Sequence, residues 1–169
     1  MPTLFTLLEL QMKTTIAVLV LSLLVACTPK KIPGTEIDDN DDTRAILAVM
    51  EEYRKAVETK NAQTIVDLAD PTFKDDGGSA ALDDDLEYSQ LFTVLPARLS
   101  KMDEIKVEVS VRKIEIDREL GTARATYTYN TSFRLPGMNP KPQSESDIKQ
   151  MTFNLADKSK RLWKITSGI

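Results

Sequence analysis

The stretch "IKVEVSVRKIEI" (Ile105–Ile116) decides the fold. Ile105, Val107, Val109 and Val111 alternate with polar residues, the period-two pattern of a strand with one buried face. Ile114 and Ile116 then fall on the opposite parity, so the pattern predicts a β-bulge near Arg112–Lys113 that returns them to the core side. Downstream, "ATYTYNTSF" (Ala125–Phe133) sets Tyr127, Tyr129 and Phe133 on one side of a second strand. After the Pro/Gly-rich "LPGMNPKP", the segments "DIKQMTFNL" and "RLWKITS" read as two further strands separated by the polar "ADKSK".

Upstream the period changes. Ile46, Met50, Tyr53 and Val57 recur at steps of four, three and four, predicting an amphipathic helix over Thr43–Thr59. Asn61 is placed to cap a short helix carrying Ile65, Val66 and Leu68, ended by Pro71. A third helix is expected over about Asp84–Lys101, with Tyr88, Phe92, Leu95 and Leu99 on one face and Pro96 bending or breaking it. Helices first, then a meander of long strands, imply an α+β fold: N-terminal helices packed on one face of a curved antiparallel sheet of four to six strands.

Composition narrows the chemistry. The 169 residues carry a net charge of −4 with 41% hydrophobic and 28% charged content, the profile of one globular domain. Basic residues are scattered among acids, without the electrostatic footprint of a nucleic-acid binder. There is no histidine, which removes the usual acid/base at neutral pH and the commonest zinc ligand. The single cysteine excludes an internal disulfide, a thiolate zinc site and a CxxC redox pair.

That cysteine, Cys27, ends the apolar run "TTIAVLVLSLLVA", which is short for a bilayer-spanning helix and suited to a secretory signal. Lys13 supplies the positive flank, and Met12 is an alternative start. Leu24-Val25-Ala26-Cys27 resembles the bacterial lipobox. The resemblance implies a signal peptide over 1–26, cleavage between Ala26 and Cys27, and acylation of Cys27, a membrane anchor of more than one chain. With Thr28 after the cysteine, the expected address in a two-membrane envelope is the outer membrane, facing the periplasm. Residues 27–41 then form the lipidated cysteine and a flexible tether, and 42–169 the folded domain.

The acidic runs invite a metal reading. Read as a calcium loop from Asp38, the chain has Thr43 where glycine is required and Val49 where the bidentate glutamate belongs, so the match fails. Asp41 or Asp42 is expected instead to cap the first helix. Asp75–Gly78 and Asp83–Asp85 read as a turn and a helix start. No metal or cofactor is expected.

"YRKAVETKNAQTIVDLADPTFKDDGG" (53–78), followed by long strands and the closing "RLWKITSG", resembles the nuclear transport factor 2-like superfamily, which includes ketosteroid isomerases and polyketide cyclases. The resemblance covers about Asp42–Ile169 and implies a sheet wrapped around the first helix, leaving an apolar pocket open at one end. For the isomerase branch it puts Tyr53 at the hydrogen-bond donor position and, with a one-residue gap, Asp76 at the base position. The second acid of that branch has no counterpart: Lys149 stands roughly there, with Asp147 two residues away on the same face. Tyr53 reads first as core and Asp76 first as part of a turn. Tyr127, Tyr129, Phe133 and Trp163 line either a pocket or a filled core. The leading expectation is an anchored envelope lipoprotein whose domain binds a small apolar ligand or an envelope protein without catalysis. The alternatives are an isomerase-, cyclase- or dehydratase-type enzyme and a homodimeric scaffold paired through the open sheet face.

Overall fold

Helix α1 (Asp41–Glu58) is capped by Asn40, whose Oδ1 accepts the N–H groups of Asp42 and Thr43, both at 3.0 Å, while Thr43 Oγ1 accepts the Asn40 N–H at 3.1 Å. This reciprocal box replaces the expected aspartate cap, and Asp41 and Asp42 lie instead in the first turn, where negative charge still favours the helix dipole. In the computed structural model the described residues are 30–76, 85–135 and 142–169. The Leu24–Cys27 motif, Met12 and Lys13, together with Gly77, Gly78, Asp83 and Asp84, lie outside them.

The folded unit starts at Lys31, earlier than the expected boundary at residue 42. Lys31 bridges Asp38 across a turn in which Ile32 N–H donates to Ile37 O at 2.9 Å and Gly34 takes a φ of +78°. Part of the stretch read as tether is thus folded, because Ile37 has an apolar side chain to bury and is 3% exposed.

Along α1 the expected stripe Ile46, Met50, Tyr53 and Val57 is buried, joined by Thr43 and Ala56. Helix α2 (Ala62–Leu68) is capped by Asn61, whose side chain accepts the Thr64 N–H at 3.1 Å. Just after it, Asp70 N–H donates to Ile165 O at 2.7 Å, drawing the chain alongside the last strand. Strands β1 (Lys74–Asp75) and β2 (Leu86–Glu87) form a small antiparallel pair.

Helix α3 spans Tyr88–Ser100, starting later than expected, and continues through Pro96. The carbonyl that Pro96 leaves without its helical donor is that of Phe92. The buried stripe is Leu91, Leu95 and Leu99, while Phe92 is half exposed, so the helix is turned from the expected face. Leucines at successive steps of four make a narrower inward ridge, and the Phe92 ring packs edge-on against Tyr88, centroids 5.6 Å apart.

Strands β3 (Asp103–Asp117), β4 (Thr122–Arg134), β5 (Gln143–Asp157) and β6 (Leu162–Ser167) form an antiparallel meander in chain order. The register shifts between Val111 and Lys113: Val111 faces Tyr127, Lys113 faces Thr126 and Ile114 faces Ala125. The bulge sits where the parity change places it, and both isoleucines return to the helix side. The other face of β4 carries Thr126, Thr128, Asn130 and Ser132. On this face β5 sets Ile148, 56% exposed, opposite Thr128.

The edge of β3 is closed by α1. Glu58 accepts the Val107 N–H at 2.9 Å and Arg54 donates to Val107 O at 3.3 Å, while Arg54 and Glu58 pair at 2.7 Å. The bond from Val107 holds the Glu58 carboxyl below its ordinary pKa. Between sheet and helices the largest fully buried side chains include Trp163, Tyr127, Phe153, Ile46 and Met151, each worth about 1.5–3 kcal/mol in burial.

Candidate functional site

One end of the domain gathers the polar groups to which the isomerase resemblance points. The α1 stripe turns Tyr53 inward, where it is 7% exposed. Strand alternation puts Tyr127 and Tyr129 on the same inner face of β4. Burial pushes the Tyr53 hydroxyl well above its ordinary pKa, and Tyr129, Tyr127 and Asp75 push it in the same direction. Tyr127 is raised likewise, chiefly by burial. The Tyr127 and Tyr129 rings meet edge-on with centroids 6.5 Å apart.

The carboxylate facing this group belongs to Asp75, not Asp76. In extended chain successive side chains point to opposite sides. Phe73 is buried, Asp75 follows it inward, and Asp76 is exposed on the rim. Asp75 Oδ2 accepts two backbone N–H groups, from Gly168 at 2.7 Å and Ile169 at 3.2 Å. Tyr127 Oη donates to Gly168 O at 3.3 Å. The Gly168–Ile169 segment is therefore wedged between the carboxylate and the phenol. Gly168 has a φ of +91°, and a Cβ there would lie 2.1 Å from Gln150 O, so only glycine fits.

Around this wedge is an open depression of about 620 Å³ lined by Asp75, Asp76, Leu86, Arg98, Asp147 and Lys149. Its walls are charged, in contrast to the apolar pocket that the resemblance implies. Lys149 lies opposite Tyr127 and holds its ammonium 4.9 Å from the Tyr129 ring centre, a cation–π contact. Asp147 shares that face, but its Oδ1 accepts the N–H of Ile148 at 2.7 Å. Neither residue supplies a protonated acid aimed at Tyr53.

The other pocket residues expected from the sequence are elsewhere. Phe133 is buried further along β4, opposite Gln143. Trp163 pairs with Leu155 on β5, about 20 Å along that strand from Lys149. Trp163 is 2% exposed, and its Nε1 has no hydrogen-bond partner among the described residues. Such an orphaned buried donor costs about 1–3 kcal/mol. It lines a second recess, of about 260 Å³, with Ile116, Gly121, Leu155, Asp42, Arg118, Lys158 and Arg161.

Sequence reasoning missed Asp75, Gly168 and the basic rim at Arg118 and Lys158. The first sits on a strand of two residues, too short to show a period. The others depend on which turns and termini meet in space.

No protein-family model matches the chain, and no curated protein matches it in sequence. Solved structures do. A nuclear transport factor 2-like superfamily protein from Salmonella enterica aligns with a TM-score of 0.62 at 10% identity, over 75% of this chain and 87% of that one. A proposed scytalone dehydratase from Novosphingobium aromaticivorans aligns at 0.60 and 15% identity, over 75% and 80%. A protein with a cystatin-like fold from Caulobacter vibrioides aligns at 0.59 and 16%, over 76% and 87%. With its helices laid on a four-stranded antiparallel meander, the chain has the nuclear transport factor 2-like, or cystatin-like, fold.

Proposed function

We propose that this chain is a lipid-anchored envelope protein whose domain binds a small ligand or a protein partner at the charged depression without catalysing a reaction. The observation that carries the non-catalytic reading is the double acceptance by Asp75 of the Gly168 and Ile169 N–H groups. The carboxylate nearest the tyrosines is committed to the fold, and a lysine stands where the isomerase branch has its second acid. The anchor rests on Leu24-Val25-Ala26-Cys27 behind an apolar run flanked by Lys13. Lipid on Cys27 ties the domain to the membrane, and an outer-membrane address facing the periplasm follows from Thr28. Gentle extraction followed by mass spectrometry is expected to show diacylglyceryl-modified Cys27 and co-purifying material lost in Lys149→Ala. An unmodified Cys27 thiol on an uncleaved chain overturns the anchor, and bare protein at every extraction overturns the binding.

A second reading is an enzyme of the dehydratase or isomerase kind, favoured by Tyr53, Tyr127, Tyr129 and Asp75 meeting at one end. It requires turnover of an enolisable carbonyl compound that Tyr53→Phe and Asp75→Asn both abolish.

A further inference from the structure

We propose that the hairpin end of the domain, led by Leu120, docks on the phospholipid surface of the membrane that holds its anchor. The inference rests on the lipid anchor proposed above and adds which end of the domain meets the bilayer. The folded unit starts at Lys31, so only Thr28, Pro29 and Lys30 separate it from Cys27. At about 3.3–3.6 Å per residue, that span reaches at most about 14 Å. The end of the domain that carries Lys31 is therefore held close to the lipid. Lys31 pairs with Asp38 at 2.7 Å, and Asp38 O accepts the Thr43 hydroxyl of α1 at 2.6 Å. Arg161, in the turn between β5 and β6, pairs with Asp41 in the first turn of α1. Asp42 lines one recess with Arg118 and Gly121 of the β3–β4 turn and Lys158 of the β5–β6 turn. Both turns thus lie beside the point where the chain arrives from Cys27.

What the turns present suits an interface. Each is fixed by its own aspartate: Asp117 Oδ1 accepts the N–H groups of Glu119 and Leu120, both at 3.0 Å, and Asp157 Oδ1 accepts those of Ser159 and Lys160 at 2.9 and 3.2 Å. Leu120, on the first turn, is 75% exposed, and Leu162, just after the second, is 42% exposed. They are two of the four large apolar side chains exposed among the described residues. A leucine carried on a fixed turn within reach of the anchor enters the boundary between headgroups and acyl chains. Arg118 and Lys158, which form no ion pair among the described residues, flank it and can donate to phosphate oxygens. Asp117 and Glu119 stand on the same turn as Arg118, so apolar insertion at short reach, and not electrostatic attraction, carries the contact.

Cys27 is the only cysteine and its sulfur is taken by lipid, so one engineered cysteine carries one nitroxide label. The full-length protein is purified from membranes and reconstituted in phosphatidylethanolamine–phosphatidylglycerol vesicles. The label is placed at Leu120→Cys or at Ser144→Cys, an exposed position about 40 Å along β5 from the β5–β6 turn. We expect the ratio of collisions with oxygen, which concentrates in the bilayer, to collisions with a water-soluble nickel chelate to be severalfold higher at 120 than at 144. With the label moved to Ser159→Cys in the neighbouring turn, adding Leu120→Asp is expected to lower the ratio to that of 144, the circular dichroism unchanged. Intact mass of the same samples reports the anchor independently. An acylated chain with equal ratios at 120 and 144, or one in which Leu120→Asp leaves the ratio at 159 unchanged, overturns the docking and leaves the anchor standing. A chain without lipid on Cys27 overturns the anchor and the docking with it.

Discussion

The two ends of the domain use their polar groups in opposite ways. At the depression, Asp75 takes two backbone donors, Tyr127 donates to Gly168, and Lys149 rests on the Tyr129 ring. At the hairpin end a buried indole N–H has no acceptor, and the rim carries two cations without an ion-pair partner among the described residues. A group already satisfied by the fold has little left to give a substrate, whereas an orphaned donor buried away from solvent is a cost that the fold itself carries. The end to which the isomerase resemblance points is thus held by its own hydrogen bonds, and the other end carries a buried donor that the described residues leave unsatisfied.

The contrast can be broken by substitution, and the largest effect is expected at Gly168. Gly168→Ala forces a Cβ against Gln150 O and Met151 Cα, and chemical unfolding should show a loss of about 3 kcal/mol. A parent-like midpoint there means the wedge is not fixed. Asp75→Asn keeps one oxygen that can accept both N–H groups but removes the negative charge that strengthens the two bonds. It should cost about 2 kcal/mol by the same measurement.

Next comes alkaline pH. Tyr53 and Tyr127 have raised folded-state pKa values, so their neutral forms are favoured by folding. Their contribution is fully present below the ordinary phenol value of about 10 and is lost as pH rises above it, at most about 1.4 kcal/mol per pH unit for each phenol. Tyr53→Phe should flatten that limb of the stability curve, and an unchanged slope in the variant would contradict the burial of the hydroxyl.

The smallest effect sharpens the comparison from the other end. Arg161→Ala removes the pairs with Asp41 and Asp42, but Arg161 and Asp41 are half exposed or more and the contact with Asp42 is long, at 3.9 Å, so the loss should be no more than about 0.5 kcal/mol. A cost equal to that of Asp75→Asn would erase the distinction between the two ends.

Elements whose pattern is local were legible in the sequence. The α1 stripe reads directly from spacing, as does the Asn61 cap, because each depends on residues within one or two turns. The bulge near Arg112–Lys113 was legible for a related reason: parity counts which side of a strand faces water, and a break in the count needs an inserted residue. Helix α3 was read less well. Phe92 looked like a core residue because it is large and apolar, yet Leu91 takes the inward place, a choice made by the sheet packed against the helix. The candidate site divides the same way. Tyr53 turning inward follows from the stripe, while Asp75 rather than Asp76 facing it rests on a strand of two residues that is too short to show a period.

What this sequence determines alone is order and sidedness: three amphipathic helices before four long strands, which face of most of them is apolar, and the lipobox-like motif that precedes them. These follow from the 3.6 and 2.0 residue periods of the backbone, which any stretch of chain carries with it. Tertiary structure alone decided that Gly168 and Ile169 come to rest on Asp75, more than ninety residues earlier, and that two hairpin turns bring Arg118 and Lys158 to the rim above Trp163. Contacts at such separations are set by how the sheet twists and closes around α1, and no local period records that closure.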